Sequence, residues 1–428
     1  MSTPHTHGTR SGTRSTAGRR LRRAAVTATA LALAVVAGPV SGATAAPVDA
    51  WTSEFGGAGN ATNNPGESVI TPKNAPQLTQ AWSANVYAGA HVAPAVVDGV
   101  AYHVVNPSNT NDPSTLTGTD VRTGATLGTA SLPGKATYHR GLTVVDGVVV
   151  LPFDGAGRPG GVLAFDVASR TIRWTWSLPA SSVPGTDNRT TGQLTVDGGR
   201  VYVSGAGNTV NALRLSDGAP LWTLPSTSTV VRGMTAANGV VYTGGNGGVI
   251  AYSGATGQRL WSAPGQGAPV VAGGRVFSAD GSSVVAVSAT GCGQATCPAL
   301  WRRDVGLTWS GINVGGANAA TLFLTYTRGD GRSGVIERLA AGTGALQWSA
   351  PLDPGAGQPV RAGNTVWLIA NAKSLVGFSA TATGTKPLRV LTEPVDRQGA
   401  LQGIAVSGGT VLVQSWPAYL TGYRVPGT

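Results

Sequence analysis

Eight times along this 428-residue chain a short apolar strand runs into a two-residue turn of Asp, Asn or Gly. The turns fall at Asp98-Gly99, Asp146-Gly147, Asp197-Gly198, Asn238-Gly239, Gly273-Gly274, Gly315-Gly316, Gly363-Asn364 and Gly408-Gly409, spaced by 35 to 51 residues. After each turn comes a strand rich in Val and Tyr, then one ending in a small-residue or Thr-Gly turn, then one that often carries Trp. The clearest copies are residues 196–225 and 238–264. Asx-Gly and Gly-Gly favour tight hairpins because these residues tolerate positive φ. Four short strands per unit at this period are the pattern of a propeller blade. No segment after residue 45 shows a helical apolar stripe, which argues against alternating strands and helices. The expected fold is all-β: an eight-bladed β-propeller of four-stranded antiparallel blades. Seven blades is the alternative, because the copies at 272–315 and 363–406 are degenerate.

The last copy stops after three strands, and LTQAWSANV at 78–86 supplies a Trp-bearing strand ahead of the first full copy. Pairing it with the C-terminal three closes the ring and protects both sheet edges. Two columns support the alignment. Trp82, Trp174, Trp222, Trp261, Trp301 and Trp348 share one place in the final strand, where a large ring serves as a wedge between blades. Gly128 and Arg389 stand there in two other units, and looser contacts are expected at those two places. Early in the first strands stand Ala93, Gly141, Gly192, Gly233, Ala268, Gly311, Gln358 and Gly403; all but Gln358 are small, as crowding at the axis requires.

The first 45 residues read as a signal peptide. Arg19, Arg20, Arg22 and Arg23 precede an apolar stretch from Ala24 to about Val40, and Ala43-Thr44-Ala45 is a small-x-small cleavage pattern. The apolar run is too short and Ala-rich for a permanent span. Residues 46–77 are then an extension leading into the ring, and 78–428 a single propeller domain. Removing the leader leaves 24 Lys and Arg against 19 Asp and Glu, reducing the formal charge from +11 to +5. No basic run interleaved with aromatics remains, so no nucleic-acid partner is expected. Cys292 and Cys297 are the two cysteines, five apart in GCGQATCPALW, and an oxidising destination predicts a disulfide stapling a loop. Metal binding is not expected there, with no His or further Cys close in sequence. HExxH, G-x-S-x-G and the Walker A pattern are absent, and Gly244-Gly245-Asn246-Gly247-Gly248 reads as a hairpin turn because no helix follows it.

The repeat resembles the blade of the PQQ-type quinoprotein propellers, whose copies close in A-x-D-x-x-T-G-x-x-x-W. That form stands here as Asp120-Val-Arg-Thr123-Gly124, as Ala255-Thr256-Gly257-Gln-Arg-Leu-Trp261, where the family's Asp is absent, and as Thr343-Gly344-Ala-Leu-Gln-Trp348. Trp51, Asn74, Leu78 and Trp82 resemble the family's opening segment. The resemblance spans nearly all of the chain beyond the leader. It implies either a periplasmic dehydrogenase holding PQQ and calcium, or a non-catalytic scaffold of the kind that assists outer-membrane assembly. In the dehydrogenases the quinone stacks between a tryptophan and a disulfide of adjacent cysteines, with Glu, Asn and Asp on calcium. This chain has no adjacent Cys-Cys pair and no ligand set that aligns, so it is more similar to the non-catalytic members. Neither PQQ nor calcium is expected, and no catalytic residue is assigned.

A propeller's default site is the mouth of its axial channel, where the loops before the first strands converge. Those loops are expected to offer His91, Tyr138, His139, Arg140, Arg232, Gln266, Trp309 and Gln402 to an anionic or carbohydrate group, with arginine as a fixed donor and an aromatic face for stacking. The bland reading is that these are ordinary rim residues. Paired acids for glycoside hydrolysis would have to come from loop residues such as Asp154, Asp187, Asp280, Asp330 and Glu393. The expectation is an exported, monomeric, non-catalytic binding or scaffold module for a protein partner or cell-wall glycan. The alternative is a divergent quinoprotein dehydrogenase or a carbohydrate-active propeller enzyme.

Overall fold

The computed structural model describes residues 49–428 apart from 87–92, 107–111, 134–135, 139–140, 156–157, 180–189, 206–208, 226–230, 307, 309–310, 382–385, 393–399 and 416–418. The expected signal peptide therefore lies outside the described residues. Among them no helix is long and apolar enough to cross a membrane.

Eight antiparallel sheets form the blades of a propeller. Blade 1 is built from Ala95–Val97, Val100–Val105, Thr115–Asp120 and Thr126–Ser131; blade 2 from Thr143–Val145, Val148–Gly155, Arg158–Asp166 and Thr171–Ser177, with Ala136–Tyr138 also on its second strand. Blade 3 comprises Thr190–Asp197, Arg200–Gly205, Thr209–Arg214 and Pro220–Pro225, and blade 4 Val231–Ala237, Val240–Gly245, Val249–Ser253 and Arg259–Ala263. Blade 5 comprises Val270–Ala272, Arg275–Asp280, Ser283–Ser288 and Trp301–Asp304, and blade 6 Asn313–Gly315, Thr321–Thr327, Gly334–Ala340 and Leu346–Leu352. Blade 7 contains Val360–Ala362, Thr365–Ala370, Ser374–Ser379 and Arg389–Thr392. Blade 8 joins Leu401–Ser407, Thr410–Ser415 and Tyr419–Arg424 to Thr79–Asn85, so the N-terminal strand closes the ring by pairing with the C-terminal one.

Turn chemistry explains most first hairpins. At Asp98-Gly99, Asp146-Gly147, Asn238-Gly239, Gly273-Gly274 and Gly408-Gly409 both turn residues have positive φ, as a two-residue hairpin needs. In blade 3 the turn is Gly198-Gly199, one residue beyond the expected pair, because Asp197 pairs with Arg200. The expected Gly315-Gly316 turn is instead a longer connection. Gly315 pairs with Phe323, and the amide of Ala317 is held by the carbonyl of Ala61 from outside the blade.

The tryptophan column wedges neighbouring blades, and the bonds show how. The indole nitrogens of Trp82, Trp174, Trp222 and Trp301 donate to the carbonyls of Val121, Leu215, Gly254 and Ala341, each just past the third strand of the next blade. The glycine of that blade's next turn seats the ring. A Cβ at Gly124, Gly218, Gly257 or Gly344 would fall 2.5–2.9 Å from Trp82, Trp174, Trp222 or Trp301. The Thr-Gly turn and the Trp of the repeat thus meet across the seam between blades. Between blades 1 and 2 both partners are replaced. Gly128 takes the Trp position, Arg170 with φ 55° takes the seat, and its guanidinium lies over Gly128. A shallow groove of about 140 Å³ remains there, consistent with the looser contact expected. At the other exception Arg389 donates to the carbonyl of Leu78.

Cys292 and Cys297 form the expected disulfide. The loop it closes leaves blade 5 and lies along the outer strand of blade 4, where Ser262 exchanges backbone bonds with Ala295 and Cys297. Gly291 in this loop abuts Trp261, occupying the place a seat glycine has elsewhere.

Candidate functional site

The extension between Asp49 and Ile70 is a strap across the ring. Trp51, completely buried, exchanges backbone bonds with Val96 of blade 1, and the carbonyl of Thr52 accepts from Val144 of blade 2. The strap then passes to blade 4, where Asn60 donates to the carbonyl of Met234 at 2.9 Å. At blade 6 the Thr62 hydroxyl accepts from the amide of Gly316, and it donates to the carbonyl of Pro359 at the start of blade 7. Asn63–Asn64 pair in parallel with Val360–Ala362 as a fifth, innermost strand of blade 7. Asn64 reaches the carbonyl of Val406 in blade 8, and buried Glu67 accepts from the amides of Val69, Ile70 and Gly409. The tight path depends on glycine: at Gly59, φ is +81° and a Cβ would lie 2.7 Å from the carbonyl of Val271.

The amide of Thr62 donates to the carbonyl of Phe55, folding Glu54 and Phe55 back toward the axis. They floor a cavity of about 160 Å³ at the end where the chain enters the first strands. Its walls include Ala93, Gln358, Gln402 and Gly403. Three of the residues expected to crowd the axis, Ala93, Gln358 and Gly403, therefore surround it. Gln358 donates to the carbonyl of Val314 at 2.8 Å, and the Gln402 side chain is exposed. The Thr62 hydroxyl is committed to its two backbone partners. The polar residues of its lining are Glu54, Thr62, Gln358 and Gln402.

Of the eight expected rim residues, the structure brings Gln402 to this cavity. Gln402 lies within the first strand of blade 8 rather than in the loop before it. Arg232 is likewise in the first strand of blade 4, and Tyr138 in a short strand where it pairs with Phe153. Gln266 is in the loop before blade 5, exposed, with its amide bonded to the carbonyl of Ala279. His91, His139, Arg140 and Trp309 lie outside the described residues. Of the loop acids, the two with described side chains are engaged within their own blades. Asp280 pairs with Arg302 on blade 5, Asp330 accepts from the amides of Arg332 and Ser333 in its own turn, and Asp154 is in a strand. Asp187 and Glu393 lie outside the described residues. Glu54, Phe55 and Gln358 were not anticipated as lining residues. The only sequence signal for any of them was Gln358, the exception in the small-residue column.

Comparison with known proteins places the fold. A family model described as outer membrane protein assembly factor BamB matches residues 158–294. No curated protein matches the chain. Among solved structures, BamB from Moraxella catarrhalis is 17% identical over 81% of this chain and 99% of its own, with a TM-score of 0.59. Quinohemoprotein alcohol dehydrogenase from Comamonas testosteroni is 14% identical over 89% of this chain and 81% of its own, at 0.64. A europium-containing methanol dehydrogenase is 13% identical over 86% and 89%, at 0.62. The chain has the PQQ-binding-like β-propeller fold, a fold shared by enzymes and by proteins named for assembly.

The described residues do not fit a quinone and its calcium. Both cysteines are joined to each other in a loop on the outer strand of blade 4, so they supply no disulfide at the axis. Calcium takes six to eight oxygen ligands. Among the described residues the axial cavity offers the Glu54 carboxylate and two glutamines, and nowhere do three His, Cys, Asp or Glu gather.

Proposed function

We propose that the protein is an exported, non-catalytic binding or scaffold propeller whose axial mouth engages a protein partner or cell-surface glycan. One observation carries this reading: the strap closes the ring from within and leaves a cavity of about 160 Å³ whose lining includes Gln358 and Gln402. Pockets that enclose a small molecule run from roughly 300 to 1,000 Å³. A small depression carrying glutamine amides suits a protruding loop or a sugar ring resting on the rim, since amides donate to and accept from hydroxyls and backbone alike. The sequence assigns His91, Tyr138, His139, Arg140, Arg232 and Trp309 to the same mouth, as donors and stacking faces for such a partner. The leader and the disulfide support action outside the cytoplasm, and the closed ring supports a monomer.

The test is site-specific photo-crosslinking on native cells from Gln402, with Leu300 on the perimeter as the control position. A reproducible protein or glycan adduct from Gln402 alone supports the reading. Quinone- and calcium-dependent dye reduction with alcohols or sugars would establish the enzyme alternative instead.

A further inference from the structure

The seam between blades 1 and 2 is a tryptophan socket without its tryptophan. Register puts Gly128 where the wedges stand: it pairs with Gly118 as Trp174 pairs with Ala164, Trp222 with Ala212 and Trp261 with Ala251. The rest of the socket is kept. Tyr102 is the third residue of its second strand, the place of Tyr202, Tyr242, Phe277 and Phe323 in blades 3 to 6. Each of those rings meets its own blade's indole, with centroids 5.8–6.1 Å apart. Tyr102 has no indole to meet. Its hydroxyl makes no hydrogen bond among the described residues, whereas Tyr202 and Tyr242 donate to the carbonyls of Gly254 and Ala289.

The blade 2 side supplies the acceptor. The carbonyls that take the indole N–H of Trp82 and Trp174 belong to Val121 and Leu215, whose amides donate to Gly99 and Gly199 of the first hairpins. Val167 holds the same place in blade 2, with its amide on the carbonyl of Gly147, and among the described residues no donor meets its own carbonyl. Tyr102 and Val167 line the groove of about 140 Å³, together with Leu116, Leu127 and Phe165. Arg170 lines it too and is exposed. It makes no ion pair among the described residues, while the acid of its turn, Asp166, pairs with Arg173.

These features define the missing occupant. The groove is well below the roughly 300 Å³ at which pockets begin to enclose whole small molecules, so it suits one ring carried on a larger body. An open acceptor beside an aromatic wall matches an indole. A planar guanidinium stacks on an aromatic face and pairs with a carboxylate. Tryptophans that fill a pocket are frequent anchors of protein interfaces. We propose that this seam groove is a docking site for a tryptophan side chain of a partner protein, with an acidic residue of the partner on Arg170. The site lies on the outer strand of blade 1, apart from the axial mouth, and does not depend on what binds there.

The probe is a dye-labelled, end-blocked peptide, Gly-Ser-Asp-Trp-Ser-Gly, titrated with the purified protein by fluorescence anisotropy. It is expected to bind, and replacing its Trp by Ala should weaken binding at least about tenfold. Replacing its Asp by Ser should weaken binding about threefold, a difference that added salt removes because Arg170 is exposed. Arg170→Gln should abolish the difference between the Asp and Ser peptides while the Trp still matters. Gly128→Trp with Arg170→Gly fills the groove with the chain's own indole and should abolish binding; Arg170→Gln carries the test if that double variant does not fold. Leu346→Ser alters an exposed leucine at a seam that has its indole, Trp348, and should bind the peptide unchanged. A crystal of the complex should show the peptide's indole N–H on the carbonyl of Val167. The proposal is overturned if the peptide does not bind, if the Ala peptide binds equally, or if Leu346→Ser weakens binding as much as Arg170→Gln. Tighter binding of indole-3-acetate than of the peptide would also overturn it, in favour of a small-molecule site. Crosslinking from Gln402 reads a different face, so failure here leaves the axial reading standing.

Discussion

At the scale of single residues, the most informative side chains are polar groups placed where water is excluded. His103, in the second strand of blade 1, is buried, with Nε2 bonded to the Thr119 hydroxyl at 3.0 Å. Burial lowers its pKa from 6.5 to about 4, because the charged imidazolium would lose its hydration. The folded protein therefore binds the proton less readily than the unfolded chain. That contribution to stability is fully present above the unfolded value and is lost as pH falls from about 6.5 toward 4. Between about pH 7.5 and about pH 5 it amounts to roughly 2 kcal/mol. Denaturant titrations at the two pH values should show this loss in the wild type and a flatter dependence in His103→Gln. Equal pH dependence in both would remove His103 as its source. The seat glycines give a second residue-scale prediction. Gly218 has φ +71° and no room for a Cβ beside Trp174. Gly218→Ala should cost about 2–3 kcal/mol by adding backbone strain to displacement of the ring. Thermal melting measures it, and a neutral effect would mean that the seam yields easily.

At the scale of elements, the seam between blades is the unit that the repeat encodes. The sequence displays the Thr-Gly turn and the Trp as parts of one copy. Only the three-dimensional arrangement shows that the Trp of one blade rests on the glycine of the next. The seam between blades 1 and 2 tests that pairing. Gly128→Trp alone brings an indole against the Cβ of Arg170, while Arg170→Gly alone leaves an empty seat. Together they rebuild the wedge found at the other seams. The double variant should exceed the sum of the singles by about 1–3 kcal/mol, the coupling expected of side chains in direct contact. Additive effects in denaturant melts would show that indole and seat act independently. The disulfide is another local device. Cys292→Ser with Cys297→Ser opens a loop of sequence separation 5, which should cost about 2 kcal/mol on loop-closure grounds. The cysteines and most hairpins were legible because their chemistry is local. The turn expected at Gly315-Gly316 lies instead at Asn318–Thr321, where the Asn318 side chain accepts from the amides of Ala320 and Thr321, while the amide of Ala317 is taken by Ala61 from far away in the chain.

At the scale of the whole molecule, the ring is closed twice, and the two closures differ in how far sequence reveals them. The strand Thr79–Asn85 completes blade 8 and was readable because the last copy lacks a Trp-bearing strand that the N-terminal region possesses. The strap is not a copy of anything, and its side-chain partners in blades 4 to 8 lie 174 to 342 residues away, so no period or motif announces it. Glu54 and Phe55 were missed for the same reason: nothing in their neighbourhood places them on the axis until Thr62 is seen bound to Phe55 and Pro359. The strap's value to the fold can be measured at Thr62, whose buried hydroxyl joins blade 6 to blade 7 by one accepted and one donated bond. Thr62→Val preserves shape but leaves the Gly316 amide and the Pro359 carbonyl without that partner, at a cost of about 2–4 kcal/mol. If the strap holds the ring as one cooperative unit, Thr62→Val should lower the denaturation midpoint and speed hydrogen exchange at the first strands of blades 6 and 7 together. Exchange accelerated only at Gly316 would confine the strap to a local contact. In that case the hydrogen bonds and wedges between blades, rather than the strap, would carry the cooperativity of the ring.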